Sequence, residues 1–235
     1  MLFRSNLDPP GDNALGIAAG DLSVEFETQA TVSFVQTVAG FNNTLGFYNI
    51  DANGFMQSTE IAFENVKDYN PGDEAVIELP GSPDTDFGFF VIANGQRANS
   101  GYNDIDFDAG DLQFFYGFGT ADQRAANIND AASDISLVFT DANGDTVLNG
   151  QIYHSTERGG STNLNPDGEV HVVSGLVDGQ GDETIRIGFE DLPNTGDADY
   201  NDVVFDLSIE SRTSLVGEEV SGDDVITLGE GADQA

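Results

Sequence analysis

The sequence predicts an all-β fold, a β-sandwich of about eleven strands. Three observations predict it. Short apolar runs recur along the chain, and several of them alternate apolar with polar residues. Turn signals separate them at regular intervals. Only one segment, 121–132, has the composition of a helix, and it is short.

In chain order the first run, 23–27, alternates as Val24-Glu25-Phe26-Glu27. Runs 31–38 and 45–50 follow, the second closed by Asp51-Ala52-Asn53-Gly54, which reads as a hairpin turn. Run 61–66 precedes the turn Asn70-Pro71-Gly72. Runs 75–79 and 87–92 precede Asn94-Gly95. Beyond the helical candidate come 112–116, 135–140, 170–173, 184–189 and 203–209, the last again alternating. Two echoes, Tyr102-Asn103-Asp104-Ile105 against Tyr200-Asn201-Asp202-Val203 and the repeated Asp-Ala-Asn-Gly at 51–54 and 141–144, fit either an old duplication or the few residue types that turns favour.

Charge narrows the function. Seven basic residues stand against 42 acidic ones, a formal net charge of −35. Disorder is excluded by 39% hydrophobic residues and 17 Phe. Nucleic acid and anionic membrane surfaces are poor partners, since little positive charge is available to meet phosphate. A folded chain this acidic needs bound cations to offset self-repulsion. The 235 residues include no Cys, so metal ions replace disulfides as the expected staple. No apolar stretch approaches the roughly 20 residues that span a bilayer. Met1-Leu2-Phe3-Arg4 is not a signal peptide, and the Pro/Gly/Asp-rich start reads as a linker within a longer exported chain.

The largest acidic set is Glu190, Asp191, Asp197, Asp199, Asn201 and Asp202, without a Lys or Arg among them, followed by the apolar Val203-Val204-Phe205. Such a set predicts a loop that holds a hard cation, Ca²⁺ being the commonest outside cells. A second set is Asn103, Asp104, Asp106, Asp108 and Asp111. In a strand Asp104, Asp106 and Asp108 share one face. It is either a separate site or a completion of the first from a neighbouring strand. Asp141, Asn143 and Asp145 have the spacing of an EF-hand start without its later Gly and Glu, and fit a small calcium loop or a plain turn equally. The fold expected is therefore a calcium-stabilised β-sandwich with long acidic loops and several Ca²⁺. Catalysis has little to work with: two His, no Cys, no phosphate loop and no nucleophile motif. The chain is not expected to be an enzyme.

At the tail, Gly222-Asp223-Asp224 and Gly231-Ala232-Asp233 repeat in a nine-residue phase, with Ile226 at the apolar position of a calcium β-roll repeat. This phase points to an RTX protein exported by type I secretion. The division expected is a linker at 1–20, a sandwich domain at 21–212 and the start of RTX repeats at 213–235.

The run Phe189-Glu190-Asp191-Leu192-Pro193, then Gly196-Asp197-Ala198-Asp199-Tyr200-Asn201-Asp202-Val203-Val204-Phe205, resembles the signature of the calcium-dependent peptide-binding domain of giant RTX adhesins. Supporting pieces are Leu45-Gly46, Tyr48, Asp51, Asn53-Gly54, Pro71-Gly72 and Phe87-Gly88-Phe89-Phe90, so the likeness covers roughly residues 30–210. The resemblance implies a sandwich with several Ca²⁺, one of which engages the free C-terminal carboxylate of a peptide on a host-cell protein. It implies Asp197, Asp199, Asn201 and Asp104 at the ligand. A calcium-dependent lectin that takes glycans is the alternative, and a spacer with fully caged ions is a third reading. The expected context is a monomeric module of a larger extracellular chain, with no membrane insertion.

Overall fold

The computed structural model describes residues 28–79, 86–156, 164–177 and 184–209. The expected 23–27 run, the linker at 1–20 and the RTX-like tail lie outside them. Thirteen strands form among the described residues: β1 (Thr28–Gln36), β2 (Thr44–Ile50), β3 (Met56–Phe63), β4 (Glu74–Leu79), β5 (Asp86–Ala93), β6 (Asp111–Tyr116), β7 (Arg124–Ala125), β8 (Ile135–Asp141), β9 (Gly144–Val147), β10 (Gln151–His154), β11 (Val172–Leu176), β12 (Thr184–Phe189) and β13 (Val203–Ile209). The only α-helix among these residues is one turn, α1 (Gly95–Ala98). No helix there is long and apolar enough to cross a membrane.

All the pairings are antiparallel. One sheet runs β11-β12-β13-β1-β4. The other runs β10-β5-β2-β3-β6-β8-β9, with β7 on β6. The second sheet is jointed, because β3 meets β6 at the single pair Thr59↔Leu112. The joint lets it fold over and enclose two cores. Leu45 and Phe47 of β2, with Phe87, Phe89 and Val91 of β5, face the first sheet, where Phe34, Phe189 and Phe205 meet them. On the opposite faces Tyr48, Ile50, Phe90 and Ile92 pack with Phe114 of β6 and Leu137 of β8. Strands β2 and β5 are thus buried on both faces and read as continuous apolar runs. Gly46 is required in this layer, since a Cβ there would lie 2.6 Å from the Glu60 carbonyl and overlap the Phe90 ring.

The all-β sandwich is as expected, and 184–189 and 203–209 match their strands to the residue. Two expectations need correction. The 61–66 run belongs to a strand that begins at Met56 and stops at Phe63. Asn65 then accepts a hydrogen bond from the Lys67 amide and caps a 3₁₀ turn at Val66–Asp68. The segment 121–132 is not a helix. Its backbone is committed to strands: the Ala126 amide donates to Phe114 O, and the Met56 amide donates to Ala126 O. Arg124 forks onto Asp130 at 2.7 and 2.6 Å and lies over the Tyr116 ring. Strands β7, β9 and β10 carry no apolar alternation long enough to announce them.

One buried ring makes stability depend on pH. His154 is enclosed among Tyr48, Phe90 and Phe114, with Nδ1 3.2 Å from the Tyr48 hydroxyl. Burial lowers it from 6.5 to about 3. The unfolded chain therefore takes up the proton first. The stability this neutral ring contributes is full above pH 6.5 and falls toward pH 3, by about 1.4 kcal/mol per unit in between. Urea unfolding at pH 6.5 and 4.5 should show a pH-dependent loss about 2–3 kcal/mol smaller in His154→Gln than in the parent chain. Equal losses would refute this assignment.

Candidate metal centre

Residues 190–202 join β12 to β13, neighbours held in register by Phe189↔Val203. Phe189 and Phe205 are fully buried and stack with ring centroids 6.4 Å apart, so both ends of the connection are fixed in the core. Between them the chain curls tightly. Asn194, Thr195, Ala198 and Tyr200 all have φ between 52° and 59°. Each non-glycine residue in that region costs roughly 1 kcal/mol or more. Gly196 also has a positive φ, 49°, and a Cβ there would lie 2.6 Å from Glu190 Oε1.

The curl turns three carboxylates toward one point. Glu190, Asp197 and Asp199 each offer an oxygen, all within 4.8 Å of one another. Glu190 is 1% exposed. Its Oε2 accepts from the Tyr200 amide at 3.2 Å, while Oε1 has no partner among the described residues. A buried polar atom left unpaired costs about 1–3 kcal/mol, and more when charged. Two carboxylates at that separation repel by roughly 3 kcal/mol at an effective dielectric near 20, less where water screens. One positive charge at the centre would pair the orphaned oxygen, cancel the repulsion and offset the backbone strain. This cluster can hold a metal ion.

Its protonation follows the same logic. Burial, then the neighbouring Asp202 carboxylate, pushes Glu190 up to about 8. Burial also raises Asp191, against the opposing hydrogen bond from Asn43. Without a cation, burial and the Asp202 carboxylate favour the protonated form of Glu190.

The other acids of the loop brace it. Asp191 Oδ2 accepts from Asn43 Nδ2 at 2.6 Å, tying the loop to the β1–β2 connection. Asp202 Oδ2 accepts from the Asp191 amide at 2.9 Å. Asn201 donates to Asp199 from both its amide and its side chain, which orients that carboxylate. The Thr37 hydroxyl donates to Asp202 O, and the Val38 amide donates to Asn201 O.

Two supports were not legible from local sequence. His171, an ordinary strand position by its alternation, is fully buried below the loop. Its Nδ1 lies 3.1 Å from Glu190 O and its Nε2 2.9 Å from Asp167 Oδ2, and the ring stacks on Tyr153. Asp167 also accepts from the Asn194 amide at 2.7 Å. Asn43 and Asp191 are 148 positions apart, so no spacing could pair them.

The second acidic set differs from expectation. Residues 103–110 are turns and a 3₁₀ helix, Phe107–Ala109, and not a strand. Asp106 caps that helix by accepting from the Asp108 amide. Asp104 and Asn103 lie in the preceding turn, and Asp111 begins β6. The local side-chain bonds of Asp106 and Asn103 win over extension. Ile105 and Phe107 do pack on the second core. None of these acids joins the convergent cluster, so Asp104 does not meet Asp197 and Asp199 there. Asp141, Asn143 and Asp145 form the β8–β9 hairpin: Asp141 accepts from both nitrogens of Asn143, and Asp145 accepts from the Thr140 hydroxyl. Asp51 likewise closes its hairpin, accepting from the Asn53 and Phe55 amides.

Cation binding should therefore displace a proton. The raised Glu190 value means that its contribution to the metal-free fold is present below about pH 4.5 and is lost as pH rises through about 8. Calorimetry at pH 7 in buffers of different ionisation enthalpy should show release of close to one proton per ion, with affinity climbing about tenfold per pH unit and levelling off above pH 8. Glu190→Gln should abolish the release and weaken binding. Proton-neutral binding would contradict the assignment.

A family model described as a domain of unknown function (DUF4114) matches residues 138–210, from within β8 through β13, and so includes the whole acidic connection. Comparison with curated proteins and with solved structures returned no match.

Proposed function

We propose that this domain is a Ca²⁺-dependent ligand-binding module of an exported adhesin, and that the ligand is a peptide with a free C-terminal carboxylate. One observation carries the reading. The three convergent carboxylates are graded in exposure: Glu190 is buried, Asp199 is half-buried and Asp197 is exposed. An ion held there is fixed from below and faces solvent above. Ca²⁺ takes six to eight oxygens, so three carboxylates and nearby carbonyls leave coordination positions for water or an incoming ligand. A half-open Ca²⁺ reverses the local field of a chain at −35 and makes a carboxylate an acceptable partner. The oxygen-only donor set and the absence of Cys favour a hard cation.

The surroundings suit a peptide end. Val38, Phe41 and Leu192 are large apolar residues left exposed on the segments that brace the loop. Lys67, on the 3₁₀ turn after β3, donates to Gly40 O in the same β1–β2 connection. A carboxylate on the ion with an apolar side chain on this rim uses both features. The RTX-like tail supports an extracellular setting, where calcium is plentiful.

In calcium-saturated buffer, a short peptide with an apolar penultimate residue and a free C-terminus should bind in fluorescence anisotropy. Its amide should bind at least about tenfold more weakly, and chelator or Asp197→Asn should remove binding. Equal binding of acid and amide would defeat the carboxylate reading. Glycan-array signal without peptide binding would favour sugar hydroxyls as the ligand.

A further inference from the structure

The joint between β3 and β6 opens a cleft apart from the cation centre. Two β-bulges in β3 create it. The ladder with β2 slips between Leu45 and Gly46 and again between Phe47 and Asn49, and Ser58 is held at φ 46°. Bulges bend a strand and increase its twist. Strand β3 consequently pairs with β6 only at Thr59↔Leu112, and beyond that pair residues 60–63 have no ladder partner other than β2 among the described residues.

A cleft of about 750 Å³ opens along this joint, walled by Glu60, Ile61, Phe107, Asp108 and Asp111. A smaller one of about 270 Å³ continues past Ile61 and Phe107 to Glu64 and Asp106. Asp108 borders both. Thr59 is 4% exposed and lines the larger cleft, and its hydroxyl has no partner among the described residues. Burial raises Glu60 and Glu64, reinforced by Glu78 and by Asp108 with Asp106 respectively. These acids do not converge as ligands for a single ion. The cation that suits them is larger and arrives on its own arm.

We propose that an extended basic peptide segment lies in this cleft, adding a strand along residues 60–63 of β3 and placing alternate Lys or Arg side chains in the two acidic pockets. A free strand edge supplies main-chain hydrogen bonds to such a segment, and pockets on alternate positions supply selectivity. The site needs no bound metal and no terminal carboxylate, so it stands apart from the cation centre.

The probe is a labelled hexapeptide of alternating lysine and valine, acetylated and amidated, titrated into the full chain in saturating calcium and about 150 mM salt. Saturable one-to-one binding is expected. Methylating alternate backbone amides should weaken it at least about tenfold, as should Asp108→Asn with Asp111→Asn. Neither of those side chains makes a hydrogen bond among the described residues, so the melting temperature should hold. Gln113→Lys, which sets a positive charge on the cleft wall, should weaken binding similarly. No saturable binding, or binding that methylation and both variants leave within about twofold, overturns the proposal and leaves only diffuse attraction to an acidic surface. A blocked peptide carries no carboxylate, so failure of the ion-centred reading would not alter this result.

Discussion

The carboxylate of Glu190 is buried with one oxygen unpaired among the described residues, and the conformation of residues 190–202 is arranged around it. Burying a charge is costly unless something answers it, and among the described residues no basic side chain bonds to this one. A proton can supply the answer, since burial and Asp202 raise Glu190 above the usual carboxylate range, and so can a cation held with Asp197 and Asp199. The left-handed residues that bring those two acids inward would relax in a free loop. They persist because both ends are anchored by β12 and β13, because Asn43 and His171 hold residues 190–191, and because Asp167 holds Asn194.

That support links the site to the whole sandwich. The β1–β2 connection reaches Asp191 through Asn43 and Asn201 through Val38, so both edges of the loop rest on segments distant in sequence. The Asp167–His171 pair supports it from beneath, with Tyr153 of β10 stacked on the imidazole. The five-stranded sheet presents the loop. The jointed sheet packs behind it and, at its own weak seam, leaves an acidic cleft of different character.

What could be read from sequence depended on whether the relevant contacts are local. The 190–202 centre was legible because its convergent acids lie within ten residues, and because the apolar alternation that follows is a strand. The 103–111 acids are at least as dense, yet Asp106 accepts from the Asp108 amide and caps a 3₁₀ helix. Alternation there mimicked a strand. The Asp51 hairpin was legible from its four residues, whereas Asp141 fitted two readings until its side chain was seen on Asn143. Asn43, Asp167 and His171 gave no local sign, since their roles exist only once distant strands have paired. The β3–β6 seam was hidden for the same reason: a bulge is a relation between two strands.

The central claim, that a cation completes a strained acidic site and thereby stabilises the domain, is tested most directly by thermal unfolding with millimolar Ca²⁺ and with excess chelator, in the parent chain and in Asp197→Asn. Each tightly held ion at about a thousand times its Kd adds roughly 4 kcal/mol, or about 10 °C for a chain of this size. Chelator should lower the parent's melting temperature by at least that much, and Asp197→Asn should lose most of the difference. An unchanged melting temperature in chelator, or a variant that gains as much from calcium as the parent does, would contradict it.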